Sequence, residues 1–220
     1  MKRTHTGTFS PTPPDADGRL SSPSSRRNVE PILTLLKEFL PSHGHLLELA
    51  SGTGEHCVAF AAAFPKLRWT PSDVESERRD SIRAWVASAG LKNVDDPIEL
   101  DVEAPGWLFE DGSIDAILVA NLLHLIPEST MANLFQNAAR VLQPGGSLFI
   151  YGPFTRNGQF VSESDAKFHE TLKNQDKTIG YKDIRQVEDL AAQHYISLTT
   201  WRDMPANNLT FVGERSLISS

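Results

Sequence analysis

The sequence predicts an α/β domain built on a mostly parallel sheet with an antiparallel hairpin at its C-terminal end, and three observations predict it. From residue 45 onward, short apolar runs alternate with helix-length amphipathic segments, the pattern of βαβ units whose crossovers are right-handed. A Gly-containing turn follows the first apolar run directly. The last two runs are joined only by Pro205-Ala206-Asn207-Asn208, a connection short enough to favour an antiparallel pair.

Residues 1–23 hold Pro11, Pro13, Pro14 and Pro23 among Ser, Thr, Gly and Asp. Such a stretch buries too little apolar surface to offset the entropy of ordering it, so it is expected to be a disordered arm. The remaining residues, 24–220, form one domain. Ser24 or Ser25 caps a helix whose stripe is Val29, Ile32, Leu33, Leu36 and Leu40, and Pro41 ends it. A strand over His45–Ala50 leads through the glycine turn into an Ala-rich helix from Glu55 to Phe64. A second strand, Leu67–Thr70, precedes a helix with Ile82, Trp85, Val86 and Ala89 on one side. Ile98–Val102 and Ile114–Ala120 read as the third and fourth strands. Pro127–Leu142 is helical, and Pro144-Gly145-Gly146 turns into a fifth strand, Ser147–Tyr151. After a polar linker come a helix near Asp183–His194 and the hairpin strands Ile196–Trp201 and Leu209–Gly213.

Composition narrows the function. The net charge of −7 argues against a protein that grips nucleic acid through a broad basic face. One cysteine, Cys57, forms no internal disulfide, and no apolar run resembles a signal-peptide core or a membrane span. A cytoplasmic protein is expected. The seven histidines lack the local spacing of zinc ligands, so no metal site is expected.

Polar groups recur at successive strand ends, where α/β sheets bind ligands. Glu48 precedes the turn and places a negative group near an incoming cation, while Gly52 and Gly54 let backbone approach a ligand. Asp73, just after the second strand, suits the two hydroxyls of a ribose, or is a solvated loop acid. Asp101 ends the third strand and suits an adenine amino group, or is a routine strand-end acid; Asn121 ends the fourth. A nicotinamide cofactor is disfavoured, because the third glycine of its fingerprint would fall at the larger Cys57.

The set Glu48-x-Ala50-x-Gly52-x-Gly54, Asp73, Asp101, Asp115 through Asn121 and Leu142-Gln143-Pro144-Gly145-Gly146 resembles the class I S-adenosylmethionine-dependent methyltransferases. More narrowly, the chain is similar to the methyltransferase-like protein 26 family from about residue 21 onward. That likeness rests on Arg27-Asn28, the run Glu48–His56, Pro71-Ser72-Asp73, Asn121–His124, Tyr151–Phe154 and Pro205–Asn208. The resemblance implies a Rossmann-like sheet of seven strands, helices on both faces, and S-adenosylmethionine as cofactor. It implies Glu48 near the cofactor amino group, Gly52 and Gly54 beside its methionine part, Asp73 on the ribose and Asp101 at the adenine. Ala50 stands where the usual loop has its first glycine.

The acceptor side is read more openly. Arg27 pairs with the cofactor carboxylate or is a surface arginine. His124 is a base or caps the following helix. Tyr151 reaches substrate or simply finishes its strand. Asn207 and Asn208 are turn formers that the resemblance places in a motif at the pocket. The segment after the fourth strand lacks the Asn/Asp-Pro-Pro-aromatic motif of base amine methylation, which favours a small-molecule acceptor over nucleic acid. The alternative is a non-catalytic S-adenosylmethionine-binding protein that acts through a partner.

Overall fold

The computed structural model describes residues 12–217. Its elements, in chain order, are α1 (Pro23–Phe39), β1 (Gly44–Leu49), α2 (Glu55–Ala63), β2 (Leu67–Pro71), α3 (Ser76–Ala89) and β3 (Ile114–Ala120). They continue with α4 (Glu128–Val141), β4 (Leu142–Thr155), α5 (Glu163–Gln175), β5 (Lys182–Asp183), α6 (Ile184–Gln193), β6 (Ile196–Asp203) and β7 (Asn208–Arg215). The seven-stranded sheet runs β2-β1-β3-β4-β7-β6, and the two-residue β5 pairs with the end of β4. Pairings are parallel from β2 to β4 and antiparallel at β4–β7 and β6–β7, as the short Pro205–Asn208 connection requires.

Neighbouring residues of the central strands point to opposite faces, and both faces are buried. Leu46, Leu118 and Phe149 pack with Leu36 of α1, Phe60 of α2 and Ile82 of α3. Leu47, Val119 and Ile150 pack with Leu134 and Phe135 of α4 and Val187 of α6. Helices therefore cover both sides, and β1 and β3 are rich in apolar residues for that reason, broken only by His45 and Glu48 in β1 and Asp115 in β3. No helix among the described residues is long and apolar enough to cross a membrane.

Four expectations change. The segment over Ile98–Val102 is not a regular strand. Residues 93–98 run beside β2 through Trp69 N–H to Asn93 O and Ile98 N–H to Pro71 O, but only isolated bridges form, at Val94 and Ile98. Asp96-Pro97 falls between those bridges, and proline has no N–H to give the ladder. Leu100 and Val102 are apolar because they are buried in the core cluster with Leu47, Val119 and Leu134, not because they pair. Second, the polar linker contains α5, capped by the Ser162 hydroxyl accepting from Asp165 N–H at 3.2 Å. Third, Ser22, rather than Ser24 or Ser25, caps α1, with Pro23 at the first helical position. Fourth, residues 12–22, read as part of a disordered arm, are tied down. Leu20 is buried, its N–H donates to Ser81 Oγ at 2.8 Å, and its carbonyl accepts from Trp85 Nε1 at 2.9 Å. The rest of the arm lies outside the described residues.

Candidate active site

Sheet order reverses across β1, which pairs with both β2 and β3, and a cavity of about 260 Å³ opens at the carboxyl ends of these strands. The turn after β1 forms its floor. Ala50 and Gly52 both lie in the left-handed region, at φ 50° and 60°. Ser51 N–H donates to Ser72 O at 2.8 Å, and Ser72 Oγ returns a bond to Glu48 O at 2.8 Å, so the ends of β1 and β2 are laced together. Asp73 completes the lacing: its carboxylate accepts from Gly52 N–H and from Glu75 N–H, each at 3.0 Å. Each carboxylate oxygen has a second lone pair, so Asp73 keeps acceptor capacity toward the cavity it lines.

Two acids of this wall are under-used. Glu48 is 2% exposed; its Oε2 accepts from Trp69 Nε1 at 2.7 Å, and no ion pair reaches it among the described residues. Burial outweighs the Trp69, Cys57 and Ser51 hydrogen bonds and raises its carboxyl to about 7. Glu75 Oε1 is buried with no hydrogen-bond partner. Sequence reasoning missed Glu75, which reads as an ordinary acid at the start of a helix. Across the cavity, the first turns of α1 contribute Ser24, Ser25, Arg27 and Asn28. His56 lines it too, buried, stacked on Phe60 and bonded to Ser25 O at 3.0 Å; burial holds its imidazole neutral.

Asn121 closes the β3 end at φ 56°, a conformation asparagine tolerates, and its N–H donates to Tyr151 O at 2.8 Å. His124 follows in a short 3₁₀ turn, 4% exposed. Above them sits a roof of α5 and the β6–β7 turn. Ala206 and Asn207 occupy its two central positions at φ 57° and 60°, the geometry of a type I′ turn. Asn207 Nδ2 donates to Asp165 Oδ2 at 2.9 Å, and Tyr181 Oη donates to Asp165 Oδ1 at 3.2 Å. Asp165 thus pins three chain segments over the cavity.

Of the residues singled out from sequence, Glu48, Gly52, Asp73, Asn121, Arg27, His124 and Asn208 line this cavity. Four do not. Gly54 faces α3: a Cβ there would lie 3.0 Å from Ile82 Cα, so its glycine serves helix packing and φ 93°. Asp101 sits between two cavity-lining residues, Leu100 and Val102, but its carboxylate accepts from Glu103 N–H at 2.9 Å and lines a neighbouring depression. Tyr151 is buried beneath Asn208, whose Nδ2 donates to its Oη at 2.9 Å. Asn207 holds the roof.

A family model matches residues 19–215, under the description "Protein of unknown function (DUF938)". The chain belongs to this family. Solved structures add the fold. An O-methyltransferase family protein from Burkholderia thailandensis superposes with a TM-score of 0.74 at 18% identity, over 87% of this chain and 57% of that one. The PH0226 protein from Pyrococcus horikoshii OT3 gives 0.74 at 16% identity, over 98% of this chain and 100% of that one. Geranyl diphosphate C-methyltransferase from Streptomyces coelicolor A3(2), in complex with Mg2+, geranyl diphosphate and S-adenosyl-L-homocysteine, gives 0.70 at 13% identity, over 86% and 80%. The chain therefore spans little more than half the length of the Burkholderia protein. At these identities the likeness establishes a Rossmann-like methyltransferase fold and nothing finer.

Proposed function

We propose that this DUF938 member is an S-adenosylmethionine-dependent methyltransferase of the cytoplasm acting on a small molecule, with methyltransferase-like protein 26 as its narrower kinship. One observation carries the reading: Glu48, Asp73 and Glu75 face a single cavity at the β1 and β2 ends, and while Arg78 pairs with Asp73 at 3.7 Å and with Glu75 at 3.5 Å, no cation pairs with Glu48 among the described residues. A buried carboxyl with no cation fits an ammonium group, and the Asp73 and Glu75 carboxylates that line the same end fit ribose hydroxyls.

The residues present fit the cofactor as follows. Glu48 holds the amino group, and Arg27 with Asn28 the carboxylate; neither of the latter side chains has a hydrogen bond among the described residues. Asp73 and Glu75 hold the ribose. Leu100 and Val102 wall the adenine, with backbone in place of the Asp101 carboxylate. Gly52, whose added Cβ would meet nothing closer than Ala50 O at 4.0 Å, leaves the floor open for the methionine chain. When bound, S-adenosylmethionine supplies a methyl group on a positively charged sulfur. The protein aligns the acceptor with that group and excludes water, which the roof over the β3 and β4 ends does.

Calorimetry with S-adenosylmethionine and S-adenosylhomocysteine, then a labelled-methyl screen of metabolite extracts, tests the reading. Binding of both and transfer to a low-mass component is the expected result. No binding would end the proposal; binding without any transfer would make the protein a cofactor-binding partner of something else.

A further inference from the structure

The end of the cavity below the roof has a chemistry unlike the acidic end. Leu125, Pro153, Phe168 and Tyr181 wall it, and Asn208 lies at its edge. The rings of His124, Phe168 and Tyr181 contact one another at centroid distances of 5.9–6.2 Å. Among the described residues no carboxylate lines this end: Asp165 stands behind Tyr181 and is already bonded to Tyr181, Asn207 and Ser162. Lys182 is turned away, its Nζ donating to the carbonyls of Ile126 and Gly180 at 2.8 Å each. Of the two cations that line the cavity among the described residues, Arg78 pairs with Asp73 and Glu75 at the acidic end, and Arg27 is exposed and is assigned above to the cofactor carboxylate.

His124 is the exception in this apolar setting. Its ring forms no hydrogen bond with any described residue, and Nδ1 is sealed from solvent without a partner. The backbone holds it there, with Gly180 N–H donating to His124 O at 2.9 Å. Burial and the nearby positive charge of Lys182 bring the imidazole down to about 3, so it is neutral and keeps one acceptor nitrogen. Nδ1 lies out of a ligand's reach, so the ring meets the cavity through Nε2, which has no hydrogen bond with a described residue and is not sealed.

We propose that this end is the subsite for the methyl acceptor, that the acceptor is a flat, uncharged ring compound bearing a hydroxyl, and that the hydroxyl donates to His124. The aromatic walls accept a ring face or edge, the absence of lining carboxylates disfavours a cationic acceptor, and the unpaired imidazole Nε2 among these rings is placed to orient it. This rests on the methyl-transfer reading.

The test uses the full chain saturated with S-adenosylhomocysteine and four probes: 2-naphthol, 2-fluoronaphthalene, 2-naphthoate and 2-naphthylmethylammonium. Ligand-detected NMR is expected to give 2-naphthol an advantage of about tenfold over 2-fluoronaphthalene, the worth of one hydrogen bond. His124→Phe, which keeps a ring, should abolish that preference and leave S-adenosylhomocysteine affinity unchanged. If the variant does not fold, the wild-type His124 ring nitrogen shifts decide, since 2-naphthol must move them and 2-fluoronaphthalene must not. Failure of 2-naphthol to bind, a preference that survives in His124→Phe, unmoved ring shifts, or tighter binding of either charged probe would overturn the proposal. Loss of S-adenosylhomocysteine binding would instead sink the reading beneath it.

Discussion

Glu48 gives the account its most quantitative consequence. Its carboxyl rises from 4.5 to about 7 on folding, because burial disfavours the charged form. Between those values the folded protein holds a proton that the unfolded chain has released, so stability falls as pH rises from about 4.5 through about 7 and is level above. At 1.36 kcal/mol per unit the full cost is about 3 kcal/mol at pH 8, an upper value. Glu48→Gln keeps an acceptor for Trp69 Nε1 and removes the charge. Its stability relative to wild type should be near zero at pH 4 and grow to as much as ~3 kcal/mol at pH 8. Urea denaturation of both proteins at unit pH steps reads this directly. Parallel pH profiles, or a variant less stable than wild type at pH 8, would refute the argument. The same linkage predicts that binding of S-adenosylmethionine below pH 7 releases about one proton from wild type and none from Glu48→Gln. Calorimetry in buffers of different ionisation enthalpy measures that difference.

Ala50→Gly should stabilise the fold by about 0.5–1 kcal/mol, since alanine at φ 50° carries left-handed strain that exceeds glycine's added chain entropy. A thermal melt that moves down would contradict this. Gly54→Ala should cost about 1–3 kcal/mol in urea denaturation, because its Cβ would press on Ile82 of α3 at φ 93°; a neutral effect would deny the packing role. Asp165→Ala removes the bonds from Asn207 and Tyr181, so amide exchange in the 205–208 turn should accelerate severalfold while that of β1 stays unchanged. Equal protection of the turn in both proteins would show that the roof does not depend on Asp165.

The legible parts of the fold were those where local pattern and burial agree. The runs at Leu46–Leu49 and Ile114–Ala120 are central strands covered on both faces, so their apolar density reveals them despite Glu48 and Asp115. Ile98, Leu100 and Val102 alternate like a strand, yet they pack against the core cluster of Leu47, Val119 and Leu134 without forming a regular strand, and Pro97 interrupts the ladder. α5 was hidden because few of its residues are buried; the Ser162-x-x-Asp165 cap was the available signal. In the site, Gly52 and Asp73 were readable because both sit at strand ends. Gly54 and Asp101 sit equally near, but the direction of a side chain depends on what packs behind it, and spacing does not encode that. Glu75 became visible only when the structure left one of its oxygens buried and alone.

An amide NMR titration with S-adenosylhomocysteine tests the cavity most directly. The shifts should concentrate at residues 50–53, 73–75, 100–102 and 121, and Asp73→Ala should weaken binding by about 1–3 kcal/mol. Shifts centred instead on His45, Arg68 and Phe109 in the neighbouring depression, or no saturable shifts at all, would contradict it.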